Sequence, residues 1–295
     1  MSCPICWRLY LPKAWTEDRA RRAAAKVPQE LVYRSKNELA LELIDQALEW
    51  ELPKLPIVTD SAYGNDFGFR AALRERGLAY VVAVEPSTKV WLQEPRRMPC
   101  DAGGGRGRPR RQPPLEQAMP EPVDLATLAR DLPPAAWKEV TWRQGAKGPM
   151  RSRFAKAQVW AAHGWKKSGP IARVAEWLLI EWPKGASAPS DYWLARLGTG
   201  VLSLRRLIRT ARARWRVELD YRELKEELGL DHYEGRHWLG WHHHVTLVSL
   251  AFCFLRGEQA RSKKNFWCEP APDSAATAGA ADPADGPLPV VSEPF

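Results

Sequence analysis

The stretch LPIVTDSAYGNDFGFRAALRERGLAYVVAV, which spans residues 55–84, predicts a strand, a helix and a second strand in succession. Its first apolar run ends on Asp60, residues 66–76 are helical in character up to a glycine, and residues 79–84 are typical of a strand covered on both faces. This order predicts two parallel strands joined by a right-handed crossover. Asp60 is then expected at the carboxyl edge of the sheet, where open α/β folds hold ligands and metals.

The composition indicates a globular protein with a strongly basic balance of charge. The 295 residues are 45% apolar, the formal net charge is +9 and the isoelectric point is near 9.4. Clustered Lys and Arg gain free energy when they displace counterions from phosphates, but many basic proteins bind no nucleic acid, so both interpretations stay open. The five cysteines are scattered, which is typical of a reduced cytosolic chain rather than of a disulfide framework.

Two local patterns argue against a zinc site and a membrane span. Cys3 and Cys6 form a C-x-x-C pair, but no second pair lies at ligand spacing nearby. The longest apolar run, at about residues 245–255, is too short to cross a bilayer and predicts a buried helix. We therefore expect a cytoplasmic protein with no membrane partner.

The chain on either side of residues 55–84 changes character several times. Residues 7–12 alternate bulky and polar side chains like a strand, and a helix capped by Asn37 is expected to run to Trp50. Residues 93–130 are rich in Pro, Gly and Arg. This composition predicts a flexible basic loop or an arm that contacts phosphates.

The second half of the chain changes from β-rich to helical. Residues 131–198 contain four short predicted strands, in which basic residues alternate with Trp and Phe. The basic residues are Lys138, Arg143, Arg151, Arg153 and Lys156. Aromatic side chains in this pattern stack on bases, but a sheet with one buried face has the same alternation and is the favoured interpretation. Helices are expected at residues 202–228 and 238–255, and the end of the chain, 267–295, is expected to be disordered.

The first of these helices carries charged side chains on a single face. Arg214, Glu218 and Lys225 are separated by four and seven residues, so all three project from one side. A solvated stripe of ion pairs has the same spacing. The apolar residues on the opposite side, and the strand-ending Asp60 far upstream, favour a functional site.

Two segments resemble the second-Asp and Glu regions of the IS701 group of DDE transposases: VTDSAYGNDFGFRAALRERGLAYVVAV and RWRVELDYRELKEELGLDHYEGRHWLGWHHHVTLVSLAFCFL. These enzymes of bacterial insertion sequences have an RNase H-like core, and the resemblance runs from about Trp7 to Leu255. It implies an α/β fold whose core, a mixed sheet with helices, is interrupted by a β-rich insertion. The implied segments are 1–92 (first part of the core), 93–130 (basic loop), 131–198 (insertion), 199–266 (helical part of the core) and 267–295 (tail).

The resemblance also assigns roles to four residues. It implies that Asp60 and Glu218 are the second and third catalytic carboxylates, and that both bind Mg²⁺ or Mn²⁺. Two such ions about 3.5–4 Å apart are expected in a complete site, because hard cations prefer carboxylate oxygens. Arg214 and Lys225 match residues that contact DNA ends in related transposases, whereas Ala211 stands where those relatives carry a Tyr.

The same resemblance implies the partners and the location of the protein. The partners would be DNA, at transposon terminal repeats and at target sites, and a homo-oligomer or a full-length transposase. The location would be the bacterial cytoplasm, in association with the nucleoid. Three consecutive histidines, 242–244, point in different directions on a helix, so we expect packing and surface roles for them rather than metal binding.

One catalytic position of the family has no match. Relatives carry their first Asp on a strand upstream of the segment that residues 7–12 match, and neither Glu17 and Asp18 in a charged loop nor Asp45 and Glu49 on a helix replace it. We therefore expect an incomplete, N-terminally truncated RNase H-like core of marginal stability. The expected function is a DDE endonuclease for strand cleavage and transfer at insertion-sequence ends that is inactive alone. The alternative is a catalytically silent DNA-binding remnant or a pseudogene product.

Overall fold

The computed structural model describes residues 2–96, 120–145, 148–162, 174–198 and 202–266. They form two compact units, of which one is Lys54–Ala213 and the other combines the described parts of Met1–Pro53 and Arg214–Phe295. The described strands are β1 (Ile57–Thr59), β2 (Tyr80–Val84), β3 (Lys89–Trp91), β4 (Val123–Asp124), β5 (Lys138–Gly145), β6 (Gly148–Ala161), β7 (Glu176–Pro183) and β8 (Asp191–Arg196). The described helices are α1 (Lys13–Glu17), α2 (Arg19–Ala24), α3 (Lys36–Glu49), α4 (Ser61–Gly64), α5 (Phe67–Glu75), α6 (Leu125–Asp131), α7 (Leu204–Arg212), α8 (Trp215–Glu226) and α9 (Trp238–Phe266).

The strands of the Lys54–Ala213 unit form one mixed sheet in the order β1-β2-β8-β7-β6-β3-β4, and β5 pairs with β6. β1 and β2 are parallel, with Val58 opposite Val81, which confirms the predicted pair. β8 pairs antiparallel with β2 and places Leu194 opposite Val82. The four strands predicted between residues 131 and 198 are present as β5 to β8, and they extend the sheet that begins with β1 and β2.

The core of this unit lies between the sheet and α7. Tyr80, Val81 and Val82 on β2 have no solvent exposure, which confirms that both faces of this strand are covered. Val81 packs in a cluster with residues of β6, β7, β8 and α7, among them Phe154, Leu179, Trp193, Leu207 and Ile208. The apolar side of α7 is therefore buried against the sheet.

A buried ion pair joins α5 to β7 in the same unit, outside the cluster that packs on α7. Arg70 Nε lies 3.0 Å from Glu176 Oε1, and the two side chains are 0% and 1% exposed. The Tyr80 hydroxyl donates a 2.7 Å hydrogen bond to the same carboxylate oxygen, and burial together with that carboxylate raises the pKa of Tyr80. Arg70 also donates from Nη1 to the carbonyl of Gly64 at the end of α4. These contacts compensate the buried charges and attach α4 and α5 to the sheet.

The other unit has its core at α8 and α9. Its cluster contains Leu224 from α8, Leu230 from the connection, and Val245, Val248 and Phe252 from α9. Trp7 packs against this cluster and donates from Nε1 to Ser249 Oγ at 2.7 Å. At the start of α3, Ser35 and Glu38 form a reciprocal capping box, and these hydrogen bonds hold the pKa of Glu38 below its usual value.

Several predicted boundaries are corrected by the structure. Residues 7–12 form no strand, because the bulky side chain of Trp7 packs on helices instead of alternating across a sheet. Ser35 caps α3 rather than Asn37, because the capping box needs an acid three residues after the cap. The helix predicted at residues 202–228 is two helices, α7 and α8, because each buries its apolar side in the core of a different unit.

Two predicted segments fall partly or wholly outside the described residues. Within the range predicted as a basic loop, residues 97–119 are not described, but residues 123–131 form β4 and α6. Asp124 caps α6 by accepting a 2.8 Å hydrogen bond from the Thr127 amide, and Leu125 and Leu128 are buried. The predicted tail at 267–295 lies outside the described residues. The domain boundaries drawn from the sequence stay predictions.

Beyond its predicted end near residue 255, α9 continues to Phe266, since Arg, Glu, Gln, Ala and Lys follow and all favour helices. None of the helices in the described parts of the chain is both long and apolar enough to span a membrane.

The buried ion pair predicts a large loss of stability when only its cation is removed. In Arg70→Met the Glu176 carboxylate stays buried without its partner, which we expect to lower the free energy of unfolding by about 3–5 kcal/mol. Urea unfolding followed by circular dichroism measures this change. The double variant Arg70→Met/Glu176→Leu should recover most of the loss, because it removes both charges.

An exposed ion pair provides the matched control. Arg34 Nε lies 3.2 Å from Glu42 Oε1, and the two side chains are 49% and 39% exposed. Arg34→Met should therefore lower the free energy of unfolding by less than about 1 kcal/mol. Equal losses in Arg70→Met and Arg34→Met would contradict the role of the buried pair.

Candidate functional site

Asp60 lies directly after β1 and begins α4. Its backbone is extended, with φ −81° and ψ −175°, and its Oδ1 accepts a 2.9 Å hydrogen bond from the amide of Ala62. This is the geometry of a helix N-cap, which satisfies an amide that has no partner within the helix. The structure thus places the Asp60 carboxylate at the carboxyl end of a strand of the parallel pair and gives it a structural role that sequence reasoning missed.

The turn behind Asp60 is packed tightly on β2. A β-carbon at Gly64 would lie 1.8 Å from the carbonyl oxygen of Ala83, so the close approach needs a glycine. Arg70 donates to the Gly64 carbonyl from within the buried ion pair. The position of Asp60 is therefore set by backbone contact with the sheet and by a buried side chain.

Glu218 lies in the first turn of α8 and its carboxylate is exposed. Oε1 of Glu218 is 2.6 Å from Nη2 of Arg214, and the side chains are 60% and 35% exposed. The predicted spacing of four residues thus brings these two side chains into direct contact. A carboxylate in the first turn also interacts favourably with the positive end of the helix dipole.

Lys225 lies in the last turn of α8, two turns beyond Glu218. It is half-buried at a cavity of about 200 Å³, whose lining includes Trp7, Tyr233 and Trp241. The sequence did not predict this cavity, because its aromatic residues come from distant parts of the chain.

The four predicted site residues are divided between the two units. Asp60 belongs to Lys54–Ala213, whereas Arg214, Glu218 and Lys225 belong to the other unit. Among the described residues, no group of three or more His, Cys, Asp or Glu side chains is arranged to hold a metal ion. Joint metal binding by Asp60 and Glu218 therefore stays a prediction.

The donor chemistry of the two carboxylates fits Mg²⁺ or Mn²⁺, since both are hard oxygen ligands. Glu218 is exposed and Asp60 is half-buried. Ligation by either side chain therefore does not require a buried core to open.

Two of the three consecutive histidines have packing roles, as predicted. His242 Nδ1 lies 2.8 Å from the Trp238 carbonyl, and its ring packs on that tryptophan at 4.4 Å between centroids. His244 Nε2 lies 3.0 Å from the Gly229 carbonyl, and its ring stacks on Tyr233. His243 is exposed.

The aromatic residues of the β-rich segment contact basic residues of the same unit. Arg153 lies 4.5 Å from the ring centroid of Trp182, and Lys156 lies 4.8 Å from that of Trp177. Lys156 also donates from Nζ to the Leu202 carbonyl at 2.8 Å. These contacts confirm the favoured interpretation, in which the alternation reflects packing within a sheet.

An exposed basic face lies instead on α7. Arg205, Arg206 and Arg209 are exposed, while Leu207 and Ile208 on the other side are buried. The signal for this face is present in the sequence LRRLIRTAR, in which apolar and basic residues separate onto opposite sides of a helix. Three guanidinium groups on one helix face suit contact with phosphates.

The free cysteines Cys3 and Cys253 lie close to each other. Burial, together with Cys3, raises the pKa of Cys253 to about 11, so Cys253 is a protonated thiol at neutral pH. A protonated thiol is a poor nucleophile, so Cys253 is not a reactive cysteine.

Comparison with models of known protein families gives a match in the first half of the chain. The family model described as DDE superfamily endonuclease matches residues 1–149, about half of the chain, and this range includes Asp60. Arg214, Glu218 and Lys225 lie outside the matched range. No curated protein matches the chain.

The cap at Asp60 predicts different effects for two substitutions of this residue. Asp60→Ala removes the hydrogen bond to the Ala62 amide and should lower the free energy of unfolding by about 1 kcal/mol. Asp60→Asn keeps an oxygen acceptor and should leave stability nearly unchanged while it removes the charge. Urea unfolding measures both variants, and equal destabilisation by the two would contradict the cap.

Proposed function

The chain belongs to the DDE superfamily endonucleases, and from this membership we propose that it acts on DNA as a transposase of the IS701 type. In this proposal it cleaves and transfers DNA strands at the ends of an insertion sequence. The observation that carries the proposal is the position of Asp60 after β1 of the parallel pair, within the residues that the family model matches. A carboxylate at this edge of an α/β sheet is suited to hold a cation against a phosphate.

Asp60 and Glu218 are the carboxylates proposed to hold Mg²⁺ or Mn²⁺. When bound, the divalent cation supplies a Lewis acid that polarises a phosphate oxygen and makes a bound water more acidic. Asp60 presents its carboxylate from a turn fixed on β2, so its oxygen atoms are positioned before DNA arrives. Glu218 presents its carboxylate to solvent from the first turn of α8.

Arg214 and Lys225 are proposed to bind the phosphates of the DNA end. In the protein alone, the guanidinium of Arg214 is paired with Glu218 at the surface, where such a pair contributes little to stability. A DNA phosphate can therefore take over a donor of Arg214 at small cost, and this leaves Glu218 available to a cation. Lys225 contributes a second positive charge two turns along the same helix.

The exposed face of α7 supports a role in DNA positioning. Arg205, Arg206 and Arg209 carry three positive charges on one side of a helix whose other side is buried. Contacts of this kind fix the register and orientation of a duplex without reading its sequence.

A second candidate function is DNA binding without cleavage, in which the chain occupies the DNA ends or pairs with a full-length transposase. It is favoured by the basic face of α7, which suits phosphate contacts and requires no carboxylate or metal. The two functions predict the same affinity for DNA and differ in strand cleavage.

The basic face predicts the salt dependence of DNA binding. Each lost phosphate contact reduces the slope of log affinity against log salt by about one, so Arg205→Gln/Arg206→Gln/Arg209→Gln should reduce it by about three. Fluorescence anisotropy with duplex DNA at several salt concentrations measures this slope.

The matched control removes the same number of exposed charges elsewhere in the unit. Lys54→Gln/Lys184→Gln/Arg196→Gln should leave the slope nearly unchanged, since these exposed residues are scattered. A similar reduction in both triple variants would mean that net charge, and not the face of α7, determines binding.

The assignment of Glu218 is tested by strand cleavage. Terminal-repeat DNA is incubated with the protein and Mg²⁺, and nicks are detected on denaturing gels. Any Mg²⁺-dependent nicking should be lost in Glu218→Gln, while binding to DNA is retained. Glu226→Gln on the same helix changes an exposed carboxylate outside the proposed site and should keep the activity.

The outcome of this assay also separates the two functions. Nicking by the unmodified chain supports the endonuclease, whereas tight binding without nicking supports the DNA-binding protein. Nicking that survives in Glu218→Gln would contradict the assignment of Glu218.

A further inference from the structure

An aromatic cavity lies next to α8 in the unit that carries Glu218. It has a volume of about 200 Å³, and its walls include Trp7, Tyr233 and Trp241 together with two aliphatic side chains. The two charged residues that line it are Lys225 and Asp231. Neither the family match nor the resemblance assigns a role to this cavity or to its aromatic walls.

Tyr233 is held in place by close contacts on several sides. Its ring stacks on His244 with 5.6 Å between centroids, and its hydroxyl donates a 3.0 Å hydrogen bond to the His237 carbonyl. A β-carbon at Gly240 would lie 2.2 Å from the Tyr233 hydroxyl oxygen, and one at Gly235 would lie 2.5 Å from its ring. The two glycines therefore make room for this ring at the cavity.

Trp7 is held equally firmly on another side of the cavity. Its indole donates from Nε1 to Ser249 Oγ at 2.7 Å, and its ring packs edge-on against Tyr221 at 5.8 Å. The indole thus lines the cavity with apolar surface, since its only polar atom is already bonded. Rigid aromatic walls of this kind are suited to a flat ligand, because little side-chain freedom is lost when it binds.

The chemistry of the lining points to one class of ligand. Aromatic walls stack on a flat π-system, a Lys ammonium attracts an anionic group, and an Asp carboxylate accepts hydrogen bonds from amino groups. A nucleobase with its phosphate combines all three features, and adenine and cytosine carry exposed amino groups. A quaternary ammonium ion also binds aromatic walls, but the ammonium of Lys225 would repel it.

The volume of the cavity and its distance from Glu218 further restrict the kind of ligand that it can bind. A cavity of about 200 Å³ is smaller than the roughly 300–1,000 Å³ of sites for drug-sized ligands, so it suits a single base rather than a base pair. Lys225 lies seven residues after Glu218, a rise of about 10 Å along the helix. This distance equals about three stacked nucleotides at 3.4 Å each.

We propose that this cavity binds one unpaired base of the DNA strand, stacked between Trp7, Tyr233 and Trp241, a few nucleotides from the phosphate that faces Glu218. The inference rests on the proposed function, since it needs DNA to lie along α8. Unstacking a base from a duplex costs free energy, so the cavity favours DNA ends that are frayed or single-stranded. Asp231 selects bases that carry an amino group.

The test compares two duplexes of equal paired length, of which one also carries three unpaired adenines at a 3′ end. Fluorescence anisotropy with the full chain measures both affinities. Because stacking of one base on an aromatic side chain contributes strongly, the unmodified protein should bind the adenine overhang about 10-fold more tightly than the blunt duplex. Trp241→Leu should abolish this preference and leave the affinity for the blunt duplex within about twofold.

Two further variants keep the test decisive. Trp50→Leu is the matched control, since Trp50 belongs to the same unit, is 50% exposed and does not line the cavity, and it should retain the preference. Asp231→Ala changes an exposed residue and should fold normally even if Trp241→Leu does not. In this variant, a duplex with three unpaired adenines should bind no more tightly than the same duplex with three unpaired thymines.

Each other result has a definite meaning. Tight and equal binding of the blunt and overhang duplexes would overturn this inference and leave the proposed function intact. Absence of binding to either duplex would overturn both. Quenching of tryptophan fluorescence by tetramethylammonium but not by deoxyadenosine monophosphate would assign the cavity to a cationic ligand and overturn the inference. An equal loss of preference in Trp50→Leu and Trp241→Leu would also overturn it.

Discussion

The ion pair between Arg70 and Glu176 is the contact on which the position of Asp60 depends. An interior ion pair is stable only when both charges are matched and the remaining donors find acceptors. Arg70 donates from Nε to Glu176 on β7 and from Nη1 to the Gly64 carbonyl at the end of α4. Because Gly64 also abuts β2 and Asp60 caps α4, the sheet, the ion pair and the cap form one connected structure. The candidate carboxylate is thus carried by a rigid core.

The sequence predicts local structure well and long-range pairing poorly, for physical reasons visible in single elements. β1, α5 and β2 follow from apolar periodicity and from the glycine at which the helix ends. The pairing of β8 with β2 joins residues more than a hundred positions apart, and no local pattern specifies it. The division of residues 202–228 into α7 and α8 was missed because helix propensity continues through the break. The break is caused by burial in two different cores.

In the candidate site, too, contacts between residues close in sequence were predictable, and contacts between residues distant in sequence were not. Contact between Arg214 and Glu218 follows from their spacing of four residues on a helix. The cap role of Asp60 was also encoded locally, as an acid before a short turn of small residues. The aromatic cavity was not predictable, since Trp7 meets Tyr233 and Trp241 only through tertiary packing. A local pattern can also mislead. Basic residues that alternate with aromatic residues occur in nucleic-acid binders, but in β6 and β7 Arg153 and Lys156 contact tryptophans of the same sheet.

The hydrogen bond between Trp7 and Ser249 joins residues 242 positions apart and has a consequence for biosynthesis. At about 5–20 residues per second, a ribosome needs about 10–50 s to add the residues that separate them. The unit Lys54–Ala213 is continuous, so it can form as soon as it emerges. Trp7, by contrast, gains its partner Ser249 only after α9 has been translated. During that interval the segment around Trp7 lacks this contact and is open to chaperones and proteases, so we expect slower translation through α9 to lower the cellular yield of the protein.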